Sequence, residues 1–77
     1  MKKYIAIEAD NLSFDLFASK VFDTDDEASQ ILYKSYQEIL EDNEWNGRDV
    51  AECTKRYYQI IFTNGDTYYG QVREIEV

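Results

Sequence analysis

The chain has 77 residues, of which 44% are hydrophobic and 16% aromatic, so residues 1–77 are predicted to form a single small folded domain. Sixteen acidic residues against eight basic ones give a net charge of −8, which opposes binding to nucleic acid and to anionic membranes and favours basic protein partners. Because the sequence contains no histidine, it excludes Ser-His-Asp and Cys-His triads as well as imidazole metal sites.

The remaining chemistry-bearing residues predict a protein that is not an enzyme and has no cofactor or metal site. Residues 42–47 resemble the first half of a calcium-binding EF-hand loop, but Cys53 stands where that loop needs a bidentate acid. The lone Cys53 excludes an internal disulfide, is expected to be a small buried filler, and is typical of a reducing, cytoplasmic compartment. Since Glu8 and Asp10 interrupt the first apolar run, neither a targeting peptide nor a membrane span is predicted.

Two strands and a helix are predicted in the first half of the chain. Residues 4–9 are apolar and β-branched and predict a strand. Residues 13–22 match both helical spacing and alternation, but Thr24 and Glu27 form a capping box that starts a helix directly afterwards, so this run is predicted to be a strand. Residues 25–43 repeat apolar side chains at helical intervals and predict an amphipathic helix.

The second half predicts a loop followed by a hairpin. Asn46 and Gly47 predict a glycine near the helix C-terminal cap and a loop over residues 43–52. Residues 56–63 and 66–72 read as two strands joined by Asn64-Gly65 in a two-residue type I′ turn. Gly70 predicts a bulge, expected to place Ile75 and Val77 on the face opposite Val72. The predicted fold is therefore α+β, with the order ββαββ: a four-stranded, mainly antiparallel sheet with one amphipathic helix on one face.

Two acidic groups at the ends of the predicted helix differ in their electrostatic setting. Asp25, Asp26 and Glu27 lie in the first turn, where the positive end of the helix dipole stabilises negative charge, so stability alone explains them. Four acidic residues lie at the opposite end, where the same dipole disfavours them and where they repel one another. These are Glu38, Glu41, Asp42 and Glu44. They predict either an anionic surface for Lys or Arg on a partner, with Trp45 beside it as an aromatic anchor, or a solvated face that only favours solubility.

The predicted hairpin carries large side chains on both faces, which one helix cannot cover. Four tyrosines are candidates for contact with a partner: Tyr57, Tyr58, Tyr68 and Tyr69. A second subunit packed on the uncovered face would explain them. Stacking on RNA bases beside Lys55 and Arg56 is an alternative, although the net charge of −8 opposes phosphate.

These patterns predict a small acidic inhibitor or adaptor that binds a basic, nucleic-acid-binding protein, without direct contact to nucleic acid or membrane. In size and charge, though in no motif, the chain resembles small acidic proteins of phages and mobile elements, including DNA mimics and inhibitors of restriction and CRISPR nucleases. That resemblance implies an anti-CRISPR or anti-restriction role. The alternatives are a homodimeric structural or accessory protein and a sheet that binds RNA or single strands.

Overall fold

The computed structural model describes residues 1–11 and 16–77, and for residues 16–19 it describes the backbone alone. The elements of this part of the chain are β1 (Lys2–Asp10), β2 (Leu16–Phe22), α1 (Asp25–Asp42), β3 (Arg48–Thr54), β4 (Tyr57–Phe62) and β5 (Thr67–Glu76). The strands form one antiparallel sheet in the order β2-β1-β5-β4-β3. The predicted α+β fold, one helix on an antiparallel sheet, is confirmed, with five strands described instead of four. Residues 13–15 of the second predicted strand lie outside the described residues.

The fifth strand, β3, occupies the second half of the segment that was predicted to be a loop. It pairs with β4 from Arg48 to Thr54. Lys55 and Arg56 form the short connection between the two strands. The prediction was wrong because β3 is an edge strand, and an edge strand needs no continuous apolar run since only one of its sides is paired. Every residue of β3 except Cys53 is exposed.

The predicted hairpin is confirmed as β4 and β5, but its turn differs from the two-residue turn expected at Asn64-Gly65. The N–H of Phe62 donates to the carbonyl of Asp66 (2.8 Å), so the loop contains three residues, 63–65. Gly65 has a φ of 97° and donates its N–H to the carbonyl of Phe62 (2.9 Å), as in a three-residue loop with glycine in the left-handed region. The Asn64 side chain accepts from the N–H of Asp66 (2.9 Å), which stabilises this longer loop.

Gly70 marks a close contact and not the predicted bulge. The pairing register of β5 is regular on both sides, and alternation alone places Ile75 on the face opposite Val72. A Cβ atom at Gly70 would lie 2.4 Å from Cε2 of Tyr58 and 2.8 Å from Cδ1 of Leu32. Glycine is therefore needed because a tyrosine ring and a helix side chain occupy the space above the strand.

The helix begins and ends where it was predicted to, but its C-terminal cap differs from the expected glycine. Thr24 is the N-cap, and its Oγ1 accepts from the N–H of Glu27 (3.2 Å). The C-cap is Asn43, whose Nδ2 donates to the carbonyl of Ile39 (2.8 Å). Gly47 lies beyond this cap, so the prediction of a glycine near the cap is replaced by an asparagine that satisfies a terminal carbonyl through its side chain.

The core lies between α1 and one face of the sheet, where the helix contacts β1, β2, β4 and β5. Its buried side chains are Ala6, Ala28, Leu32, Tyr58, Ile60, Phe62 and Val72. Alternation turns another set of side chains to the opposite side of the sheet, which we call the open face: Ile5, Ile7, Tyr57, Ile61, Tyr69 and Ile75. None of the described elements covers the open face.

Candidate partner-binding surfaces

The surface at the C-terminal end of α1 is strongly acidic, and the last helical turn supplies no positive charge. We call Glu38, Glu41, Asp42 and Glu44 the C-terminal acidic group. All four side chains are exposed, and the last helical turn contains no basic residue. Within the described part of the chain, none of the four takes part in an ion pair. Their mutual repulsion and the unfavourable dipole are thus not offset by an ion pair with any described residue.

Two of the three acidic residues at the start of α1, Asp25 and Asp26, have cationic partners, which the connection between β3 and β4 supplies. Lys55 Nζ lies 3.3 Å from Asp25 and 3.1 Å from Asp26, and Arg56 Nε donates to Asp25 Oδ1 (3.1 Å). Although desolvation, the largest effect, acts to raise the pKa of Asp25, the hydrogen bonds and charges of Arg56 and Lys55 together lower it. These contacts tie the helix start to the sheet, which is a structural role. They also occupy both cations that the RNA-binding alternative required.

Trp45 projects from a short loop that is tied by hydrogen bonds to Thr63, in the connection between β4 and β5. Its side chain is 74% exposed, a large fraction for an indole in a folded protein. Two hydrogen bonds from Thr63 fix the loop. The N–H of Thr63 donates to the carbonyl of Gly47 (2.8 Å), and Thr63 Oγ1 donates to Oδ1 of Asn46 (3.2 Å). Trp45 therefore stands on a supported loop beside Glu44, where an aromatic anchor next to a charged surface is typical of an interface.

Sequence reasoning missed one basic residue near the acidic surface. Arg48, at the start of β3, lines a small depression together with Glu41 and Glu44. The segment was predicted to be a loop, so the pairing that brings Arg48 alongside the helix end was not foreseen. The positive charge of Arg48 makes the electrostatic potential less negative at this point, but the structure shows no ion pair between Arg48 and either carboxylate.

The four candidate tyrosines do not share one surface. Tyr58 and Tyr68 lie on the face covered by the helix, where Tyr58 is completely buried, so Tyr58 is corrected from a partner contact to a core residue. Tyr57 and Tyr69 lie on the open face and are 37% and 48% exposed. The stacking platform proposed for RNA is thus divided between two sides of the sheet, and only Tyr57 and Tyr69 remain as surface candidates.

A buried carboxyl group was also missed by sequence reasoning. Glu8 is only 3% exposed and accepts a hydrogen bond from the Tyr58 hydroxyl (2.8 Å). Desolvation, followed by this hydrogen bond and the charge of Glu8, raises the pKa of Tyr58. The signal in the sequence was alternation, which places Glu8 on the same face as Ala6. The pair belongs to the packing of the core and offers no surface to a partner.

Three further features bear on the expectations from the sequence. Cys53 is half-buried against the core, where desolvation raises the pKa of its thiol. Among the residues that the structure describes, no cluster of three or more His, Cys, Asp and Glu side chains is arranged to hold a metal ion. Among the described residues, no helix combines the length and the apolarity needed to cross a membrane.

Comparison of the chain with protein-family models, with curated protein sequences and with solved structures gives no match.

Proposed function

We propose that this protein is a small, non-enzymatic, cytoplasmic binding protein whose C-terminal acidic group engages a basic surface on another protein, with Trp45 as an anchor at the edge of the contact. The observation that carries the proposal is that four exposed carboxylates, without ion pairs among the described residues, stand at the helix end that disfavours them. A cationic partner would remove both the repulsion and the dipole cost, which free solvent only screens.

The chemistry of the partner follows from charge. A surface rich in Lys and Arg that ordinarily contacts phosphates would accept closely spaced carboxylates, since neighbouring acids on a helix lie about 5–6 Å apart. The sharper form of the proposal is therefore inhibition by nucleic-acid mimicry, as in an anti-CRISPR or anti-restriction protein of a phage or mobile element. The net charge of −8 would also accelerate association with such a partner.

The test compares two variants with the same change in charge. One neutralises the C-terminal acidic group as Glu38→Gln, Glu41→Gln, Asp42→Asn and Glu44→Gln. The control neutralises four exposed acids of the sheet as Asp49→Asn, Glu52→Gln, Glu74→Gln and Glu76→Gln. Wild type and both variants are immobilised, and proteins retained from a bacterial lysate are quantified as the salt concentration rises and as duplex DNA is added as competitor.

The proposal predicts that the wild type and the control retain a nucleic-acid-binding protein that salt and duplex DNA displace. The variant without the C-terminal acidic group should lose that protein. Equal retention by both variants would show that only total charge matters, and retention that resists salt and DNA would contradict the electrostatic mechanism. A further change, Trp45→Ala, should weaken retention without altering its dependence on salt.

A second candidate is a homodimeric structural or accessory protein, favoured by the open face. Tyr57 and Tyr69 are exposed there, as is Val21, which pairs with Ile5 on the same face. The neighbouring isoleucines are half-buried, and none of the described elements covers this apolar surface. Sedimentation of the wild type against Tyr57→Arg with Tyr69→Arg distinguishes the candidates. A dimer that resists salt and is lost in this double variant, in a protein that captures no partner, would favour self-association.

A further inference from the structure

The outer edge of β3 presents backbone groups that the sheet does not use. Two hydrogen bonds fix the direction of the β4 backbone: the N–H of Val72 donates to the carbonyl of Arg56, and the N–H of Phe62 donates to the carbonyl of Asp66, each at 2.8 Å. The even-numbered residues of β4 therefore face β5. Because backbone direction alternates along an antiparallel strand, the odd-numbered residues of β4 face β3.

The residues of β3 that pair with those odd-numbered positions are Val50, Glu52 and Thr54. It follows that the residues between them, Ala51 and Cys53, direct both N–H and C=O groups away from the sheet. An extended chain placed along this edge could form a ladder with them, as strands add to open sheet edges in peptide recognition.

A groove lies directly beside these outward groups. It has a volume of about 710 Å³ and runs between α1 and β3, with Tyr33, Tyr36, Ala51 and Cys53 among its lining residues. Ala51 and Cys53 pair with Ile60 and Tyr58, which are buried beneath the helix, so their side chains point to the helix side of the sheet. The same two residues thus offer hydrogen bonds at the edge and apolar contact in the groove.

The charges around the groove balance, unlike those of the whole protein. Its lining contains two acidic residues, Asp26 and Glu52, and two basic ones, Lys34 and Lys55. Lys55 is already paired with Asp26 at 3.1 Å. A groove without net charge, next to aromatic side chains, is complementary to an uncharged segment and not to the basic surface expected at the C-terminal acidic group.

We propose that the outer edge of β3 binds an uncharged extended segment of a partner protein by strand addition. The segment forms backbone hydrogen bonds with Ala51 and Cys53, and every second side chain of the segment enters the groove against Tyr33 and Tyr36. This site is separate from the C-terminal acidic group and does not depend on the function proposed for it.

A second copy of the chain is a poor occupant of the same edge. The register that pairs Ala51 of one β3 with Cys53 of the other, and so uses all the outward groups, sets Glu52 directly opposite its own copy. Like charges directly opposite on adjacent strands destabilise pairing. Glu52 therefore protects the edge against self-association while leaving it open to an uncharged strand.

The experiment selects displayed random peptides of about eight residues, lacking charged side chains, against the wild-type protein. A selected peptide is then measured with three variants. Ala51→Pro removes an outward N–H and places a ring at the edge, yet leaves the bonds to β4 intact because that N–H does not point toward β4. Tyr33→Ala removes a wall of the groove. Tyr57→Ala, which removes an exposed tyrosine from the open face, is the matched control.

The proposal predicts a selected peptide whose affinity falls about tenfold or more in Ala51→Pro and clearly in Tyr33→Ala, but not in Tyr57→Ala. Affinity should change little between about 0.05 and 0.5 M salt, and it should survive neutralisation of the C-terminal acidic group. Amide signals of Ala51 and Cys53 should shift on binding. Failure to select a peptide from the library, or a peptide that binds folded Ala51→Pro as tightly as wild type, would overturn the proposal.

Discussion

The two ends of α1 carry the same type of side chain in opposite surroundings. At the N-terminal end, Asp25 and Asp26 lie beside the positive end of the dipole and bond to Lys55 and Arg56. At the C-terminal end, the acidic group faces the negative end of the dipole, and the last turn has no basic residue. The comparison shows that a carboxylate stabilises a helix at one end and destabilises it at the other. Only the destabilising carboxylates require an explanation other than the stability of the fold.

The comparison of the two helix ends requires that α1 pack closely on the sheet. Among the substitutions considered, Gly70→Ala should disturb this packing most. The added Cβ would lie 2.4 Å from the ring of Tyr58 and 2.8 Å from Leu32, which must both move. We expect the free energy of unfolding to fall by about 3 kcal/mol, the upper end for overpacked cores. Urea denaturation measures this value, and an unchanged midpoint would show that the contact between helix and sheet is looser than described.

A smaller effect is expected where the sheet satisfies its buried carboxyl group. Tyr58→Phe removes the donor to Glu8 Oε1 and should lower the free energy of unfolding by about 2 kcal/mol. Glu8→Gln is the control, because an amide oxygen can still accept from the Tyr58 hydroxyl. If Tyr58→Phe matched the wild type, the hydrogen bond would have no net value to the fold.

The same pair gives a dependence on pH with a definite sign. Because the pKa of Tyr58 is raised in the folded state, the unfolded chain loses its phenolic proton first. The stabilisation is therefore constant below about pH 10 and declines above it. Denaturation at increasing alkaline pH should show this decline more strongly in the wild type than in Tyr58→Phe, and equal declines would contradict the assignment to Tyr58.

The two caps allow a direct comparison of the helix ends without altering charge. Thr24→Ala removes the acceptor for the Glu27 N–H, and Asn43→Ala removes the donor to the Ile39 carbonyl. Each should lower the free energy of unfolding by about 1 kcal/mol. Thermal denaturation of the two variants checks this. If Asn43→Ala were as stable as the wild type, the C-terminal end of the helix would be frayed. The acidic group would then experience a weaker helix dipole.

Much of the fold follows from local patterns in the sequence. The capping residues Thr24 and Glu27 fix the helix start, and the spacing of Ala28 and Leu32 identifies the buried side of the helix. Alternation in β4 and the turn residues at Asn64 and Gly65 identify the hairpin. These signals are readable because each depends on residues that are close along the chain.

What could not be read depends on contacts between distant residues. In the sequence Gly70 suggests a bulge, and only the fold shows that the ring of Tyr58 lies above it. Glu8 likewise suggests a surface residue, and only the fold shows that it is buried beside Tyr58. β3 has little apolar pattern because only the edge pairing with β4 defines it. For the candidate surface, composition and helix phase predicted the acidic residues, whereas the cations that compensate the other end come from a connection whose position required the whole fold.

The measurement that bears most directly on the role of the acidic residues is the free energy of unfolding, at low salt, of two matched triple variants. One carries Asp25→Asn, Asp26→Asn and Glu27→Gln, and the other carries Glu38→Gln, Glu41→Gln and Asp42→Asn. The first should be less stable than the wild type, and the second more stable by about 1 kcal/mol, because the dipole acts with opposite sign at the two ends. If the second variant were no more stable than the wild type, the carboxylates at the helix C-terminus would impose no cost on the fold, and the argument for a cationic partner would lose its physical basis.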